Sequence, residues 1–144
     1  MNLHDDIFFL VKHLSKCIEL SLDKEAAKLG LTPQQGRLLG FLIRCEKENV
    51  KVRQIDIELR FQLSKSTVSG LVKRMDSKGL IIKVKEKGEI HILPSEEGKT
   101  IMTTFRNKAE IIKQNMMEAL PIEERDKTID NLNRLLNQIE KEDS

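Results

Sequence analysis

The sequence predicts a mainly α-helical fold with one small β-hairpin, a winged helix-turn-helix flanked by long N- and C-terminal helices. Three observations carry that prediction. Apolar residues recur at helical spacing over most of the 144 residues; one stretch, Leu80 to Leu93, alternates in the strand manner about Lys87-Gly88; and the basic residues gather around that stretch.

The first helix is marked by Leu3, Ile7, Leu10, Leu14, Ile18, Leu22 and Leu29, and Gly30 ends it. A stripe of that length exceeds what a small domain covers by itself. Thr32, Pro33 and Gln35 supply the N-cap, first-turn proline and capping-box glutamine of a second helix, whose buried side is Leu38, Leu39, Leu42 and Ile43. Gly36 and Gly40, one turn apart, would let another backbone approach. Val52, Ile55, Ile57, Leu59, Phe61 and Leu63 read as a short helix and a turn. Ser64 then caps a helix with Val68, Leu71, Val72 and Met75 inward, ending at Gly79. Leu80 to Lys85 and Glu89 to Leu93 form the hairpin. Ser95 caps a long helix carrying Ile101, Phe105, Ala109, Ile112 and Met116, broken near Pro121, and the last helix carries Ile129, Leu132, Leu135, Leu136 and Ile139.

Composition bounds what such a chain does. With 39% hydrophobic and 33% charged residues it forms one globular domain, 1–144, with a real core. A net charge of +2 excludes a uniformly basic polymer binder. Aromatics at 3%, with no Trp or Tyr, count against base-stacking platforms and aromatic cages. Cys17 and Cys45, in a chain without a secretory apolar segment, read as reduced thiols of a cytoplasmic protein. The apolar run Ile7 to Val11 falls far short of the roughly 20 residues of a membrane span, so no membrane partner is expected.

The near-neutral total conceals a gradient. Residues 1–50 carry 7 cations and 7 anions, 51–99 carry 11 and 7, and 100–144 carry 7 and 9. Over 60–85 seven cations (Arg60, Lys65, Lys73, Arg74, Lys78, Lys83 and Lys85) face Asp76 alone. A helix entering the major groove needs small hydrogen-bonding residues at its leading end and cations further along for phosphates. Ser66, Thr67, Ser69 and Gly70 followed by Lys73 and Arg74 meet that requirement.

These residues resemble the MarR family of bacterial transcriptional regulators. The likeness is carried by Leu29-Gly30-Leu31-Thr32-Pro33-Gln34-Gln35, by Gln54 to Glu58, by the run from Leu63 to Met75, and by Lys78-Gly79-Leu80-Ile81. It implies a homodimer in which helices within 1–30 and 100–144 pair two copies, while 31–99 form a DNA-binding lobe. Carried over by position, Ser64, Lys65, Ser66, Thr67 and Ser69 would face bases and nearby phosphates of double-stranded DNA, Lys73 and Arg74 would hold the backbone, and Lys83 stands where the family usually has a strand Arg. The wing is shorter than is usual and lacks the family's bracing Asp and Arg pair, leaving Lys85 and Lys87 as the cations near its tip. Phe61-Gln62 replaces the more usual Leu-Gly of the turn, which predicts an altered backbone geometry at Gln62. The likeness further implies a repressor of palindromic sites under small-molecule control. Two other readings stay open: a winged-helix module for an acidic protein partner, and a thiol or metal sensor of the same fold.

Other chemistry finds little support. Oxidant-sensing relatives place their reactive thiol where this chain has Phe8, supported by tyrosines that are absent here. His4, His13 and His91 show no paired metal-ligand spacing, so neither a metal nor a cofactor is expected. Gly98-Lys99-Thr100 lacks the opening glycine of a phosphate loop, which would fall at Leu93. Met102, Met116, Met117 and Phe105 are core candidates that could also line an effector pocket. No nucleophile, base and orienter combine, so no enzyme is expected.

Overall fold

The computed structural model describes residues 2–143. They fall into two compact units, Met1–Ala109 and Glu110–Ser144.

In the first unit a single 3-10 turn over Leu3–Asp5 precedes α1 (Ile7–Lys28). The α-helix thus begins later than the apolar spacing from Leu3 predicts. The reason is a cap: the Asp6 carboxylate accepts the Phe8 N–H at 3.0 Å and fixes the start of the helix there. α2 (Pro33–Lys47) opens on the capping box read from the sequence, with Gln35 N–H to Thr32 Oγ1 at 3.1 Å and Thr32 N–H to Gln35 Oε1 at 3.2 Å. α3 (Gln54–Phe61) and α4 (Lys65–Ser77) form the helix-turn-helix. Between them Gln62 sits at φ 53 and ψ 48, a left-handed conformation in keeping with the altered geometry predicted there.

β1 (Ile81–Glu86) pairs antiparallel with β2 (Glu89–Pro94), in register from Ile81↔Pro94 to Glu86↔Glu89. Lys87 and Gly88 turn the chain with φ of 50 and 81, the twist a two-residue hairpin favours. A backbone bond from Ile92 N–H to the Val52 carbonyl, 2.8 Å, ties β2 to the segment ahead of α3. α5 (Glu96–Met117) follows the hairpin, and α6 (Ile122–Glu142) closes the described chain.

The core of the first unit lies where these elements converge. Leu38, Leu39 and Leu42 of α2, Ile57 of α3, the whole inward stripe of α4, Leu80, Ile81 and Ile92 of the hairpin and Met102 of α5 are each at most 5% exposed. Two polar contacts organise its edge. Lys78 Nζ donates to the Gly30 carbonyl (2.7 Å) and to buried Gln35 Oε1 (3.0 Å), fastening the end of α4 to the α1–α2 junction. Ser95 Oγ accepts the Gly98 N–H (2.9 Å) and donates to the Gly79 carbonyl, while Ser95 N–H donates to the Leu80 carbonyl at 3.0 Å. There the first turn of α5 presses onto the entry of β1 so closely that a Cβ on Gly98 would fall on the Leu80 carbonyl oxygen and 3.1 Å from Leu39 Cδ1. Gly36 and Gly40, in contrast, meet no second backbone: a Cβ on Gly36 would find open space, and one on Gly40 only Met102 Cε at 4.0 Å.

In the second unit α6 keeps its predicted stripe, but Ile122, Ile129, Leu132, Leu135, Leu136 and Ile139 are 50–76% exposed.

Two substitutions test these constraints. Gly98→Ala should cost roughly 3 kcal/mol or more, because a backbone carbonyl cannot yield as a flexible side chain does; a thermal midpoint within the error of the parent's would show that the contact relaxes. Gln62→Gly should gain about 0.5–1 kcal/mol by relieving the left-handed strain net of glycine's entropy, read as a rise in denaturation midpoint at unchanged slope.

Candidate nucleic-acid interface

Of the ten residues singled out for DNA contact, seven lie on α4 or at its cap and three on the hairpin. Ser64 is the N-cap: its Oγ accepts the Thr67 N–H (3.2 Å) and donates to Thr67 Oγ1 (2.8 Å), and it stands 3.3 Å from Ser66 Oγ. Its proton is therefore engaged in starting the helix, while the Thr67 hydroxyl keeps its own proton to donate. Lys65, Ser66, Ser69, Lys73 and Arg74 point outward, opposite the buried stripe of Val68, Leu71, Val72 and Met75. Arg74 folds back along the helix, so that a Cβ on Gly70 would lie 3.2 Å from its Nη1. The missing side chain at position 70 lets the guanidinium lie over the middle of the exposed side.

Lys83 stands beside the same helix, its Nζ 3.9 Å from Asp76 Oδ2. Lys85 and Lys87 are exposed further out on the hairpin. Not all of the central charge is outward: Lys78, one of the seven cations of 60–85, spends its ammonium on Gly30 and Gln35. What remains is a helix side with hydroxyls leading and cations trailing, next to a lysine-bearing hairpin. Hydroxyls at the N-terminal end can bond base edges or phosphates, and the cations can bond phosphates.

A brace that the sequence did not reveal holds the hairpin. Lys51 Nζ meets Glu86 Oε2 at 2.6 Å, and Arg53 reaches both Asp56 (Nε–Oδ2 3.3 Å) and Glu89 (Nη1–Oε1 3.7 Å). His91, 7% exposed, lies between the two glutamates, with Nε2 3.3 Å from Glu89 Oε2 and Nδ1 3.9 Å from Glu86 Oε2. These groups together brace the hairpin. The hydrogen bond from Lys51 holds the Glu86 carboxyl below the usual carboxylate range. Burial pushes Asp56 up, and the backbone and side-chain bonds from Arg53 outweigh it, leaving that carboxyl lowered.

The remaining candidates separate clearly. Cys17 is exposed with Sγ 3.9 Å from His13 Nε2, and Cys45 is buried, where desolvation pushes its thiol up. Among the described residues no cluster of His, Cys, Asp or Glu could hold a metal ion, and no helix is long and apolar enough to cross a membrane. Met102 and Phe105 pack at the core and also line an open cavity of about 460 Å³ in the first unit, together with Gly36, Gly40 and Phe41 and with both charges, Glu19 and Asp23 beside Arg37, Arg44 and Arg106. The two glycines of α2 make room for this space. Met116 and Met117 belong to the second unit.

Titration tests the brace. A carboxylate whose folded pKa is lowered stabilises the folded state fully at neutral pH and loses that contribution as the pH falls through the folded value. The Glu86 carboxyl followed by NMR should therefore titrate below the ordinary value of about 4.3, and Lys51→Ala should return it toward that value. An unchanged midpoint in the variant would remove Lys51 from the account.

Comparison with known proteins agrees with this architecture. Residues 29–89 match the MarR family. No curated protein sequence matches the chain. Among solved structures, MepR, a transcription regulator of the Staphylococcus aureus multidrug efflux pump MepA, superposes with a TM-score of 0.86 at 22% identity over 93% of this chain and 98% of that one. MepR in its DNA complex matches with a TM-score of 0.65, 22% identity and coverage of 93% and 96%, and MepR bound to ethidium bromide with 0.69, 22%, 93% and 96%. The YusO protein of Bacillus subtilis matches with a TM-score of 0.80 at 20% identity, covering 94% of this chain and 95% of that one. The helix-turn-helix and hairpin thus resemble the MarR family in sequence, and nearly the whole chain shares the fold of MepR and YusO.

Proposed function

We propose that this chain is a cytoplasmic, homodimeric repressor that binds a palindromic double-stranded DNA site in a sequence-specific way and is released by a small-molecule effector. The observation that carries the DNA reading is the exposed side of α4, where Ser66, Thr67 and Ser69 lead and Lys73 and Arg74 follow, with Lys83 beside them and Lys85 and Lys87 further out. Lys65 at the first turn adds a further phosphate contact. That a relative of the same fold has been solved with DNA supports the reading.

Dimerisation is supported by two apolar stripes left open: Ile7, Phe8, Val11 and Leu14 on α1, and Ile129, Leu132, Leu135 and Leu136 on α6, all roughly half exposed or more. Residues 1–30 and 100–144 would supply the pairing surface, and 31–99 the lobe that meets DNA. Two copies then place their α4 helices in successive major grooves about 34 Å apart. Effector control is supported by the cavity beside Met102 and Phe105, whose volume falls within the usual range for small-molecule sites. The ethidium complex of MepR supports it by likeness.

Selection of bound fragments from random-sequence duplexes, followed by fluorescence anisotropy against salt, tests the proposal. Affinity should fall steeply with salt, and Lys73→Ala should weaken all sequences alike while lowering the salt slope by about 1 for each phosphate it no longer neutralises. Ser66→Ala should instead change which sequences are preferred. Equal affinity for selected and scrambled duplexes at physiological salt would refute sequence-specific binding.

A further inference from the structure

A second cavity lies apart from the one beside Met102, where the end of α2, the connector to α3 and the hairpin meet. It is partly open, holds about 230 Å³, and has Leu42, Val52, Val84 and Ile92 among its apolar walls. Its charged lining is Glu46, Lys51 and Glu86, with His91 beside them. Carboxylates outnumber the ammonium there and no arginine lines it, in contrast to the three arginines of the other cavity. Each carboxylate has a lysine partner, Glu46 with Lys99 Nζ at 2.6 Å and Glu86 with Lys51 Nζ at 2.6 Å.

His91 is the group left incomplete. It is 7% exposed, and its Nε2 stands 3.3 Å from Glu89 Oε2, a carboxylate outside the cavity wall. An ionised carboxylate only accepts, so the neutral ring carries its hydrogen on Nε2 and keeps a lone pair at Nδ1. The nearest charged partner of Nδ1 is Glu86 Oε2 at 3.9 Å, too far for a hydrogen bond and itself an acceptor. Lys51 holds the Glu86 carboxyl below the usual carboxylate range, which keeps it ionised at neutral pH. Two acceptors, one of them on a buried ring, thus stand where a single donor with two N–H groups reaches both. A hydroxyl has one proton to give and an ammonium has three.

We propose that this cavity is a binding site for a small primary amine with one aromatic ring: the ring lies among Leu42, Val52, Val84 and Ile92, and the ammonium donates to His91 Nδ1 and to Glu86. The volume sets the size of the ligand. An apolar cavity of about 150 Å³ holds benzene, so about 230 Å³ admits a ring with a two-carbon arm, as in phenethylamine. All of these residues belong to the first unit, so the site is complete in one chain. The bound amine joins α2 to both strands of the hairpin, and it competes with Lys51 for the same carboxylate.

The test uses the full-length protein, followed by methyl NMR, and three probes of similar shape: phenethylamine, phenethyl alcohol and hydrocinnamate. The amine should shift the methyl groups of Val52, Val84 and Ile92 with a Kd of about 1 mM, as its size allows. The alcohol should bind several-fold more weakly and the carboxylate should leave those methyl groups unmoved. Glu86→Gln should weaken the amine about ten-fold or more, the loss of a charge-assisted bond. Lys51→Met, which removes the competing ammonium, should instead tighten it about two- to five-fold. Were the ion pair needed only to shape the cavity, both variants would lose binding. Val84→Phe should fill the space and abolish the shifts. The probe series needs no variant to fold: carboxylate binding equal to that of the amine, shifts confined to Met102 in the other cavity, or unmoved methyl groups at about 10 mM amine each overturns the proposal.

Discussion

The contact of Gly98 with the Leu80 carbonyl is the constraint on which the rest of the first unit depends. At that point the end of α4, the entry of β1, the exit of β2 and the first turn of α5 meet within a few residues. Ser95 satisfies the backbone groups that such close packing would otherwise strand, bonding Gly98 N–H and the Gly79 carbonyl from one hydroxyl. A side chain at position 98 would separate α5 from the hairpin and, with it, withdraw Met102 from the core. The approach of α5 to the entry of β1 is thus set by backbone against backbone.

A second tie works at the same, C-terminal end of α4. Gln35 is at once the capping-box residue of α2 and the acceptor for Lys78, so the start of one helix and the end of another share one amide oxygen. Buried polar groups of this kind are costly when left single, which makes the arrangement specific as well as stabilising. Together the two ties anchor the C-terminal end of α4 to the α1–α2 junction and to the start of α5.

Much of this is legible in residue order. Thr32-Pro33-Gln34-Gln35, Ser64 and Lys87-Gly88 each encode a local event within four residues, and each local event occurs. The inward stripe of α4 follows from spacing alone. Hidden from such reasoning are contacts between distant residues. Lys51 and Glu86 are separated by 35 residues and Lys78 and Gly30 by 48, and no periodicity signals their pairing. Ser64 is ambiguous in sequence for a related reason: capping a helix and contacting DNA call for the same hydroxyl, and only the geometry shows its two bonds to Thr67. Gly36 and Gly40 suggest a place for a second backbone, yet a small residue on a helix can equally leave room for nothing, and here it opens a cavity. At 20–22% identity to MepR and YusO, the fold is shared over nearly the whole chain.

The ion pairs that brace the hairpin also change what a salt titration of this protein measures. Lys51, Glu86, Arg53 and Glu89 are all about half exposed or more, so their attraction is screened over the same range of ionic strength that weakens phosphate contacts. In the DNA complex proposed above, added salt would act twice, by restoring counterions to the duplex and by loosening the hairpin. The apparent number of phosphates neutralised, taken from the absolute slope, would then be an upper bound, and only differences between variants that share the brace would count them one by one.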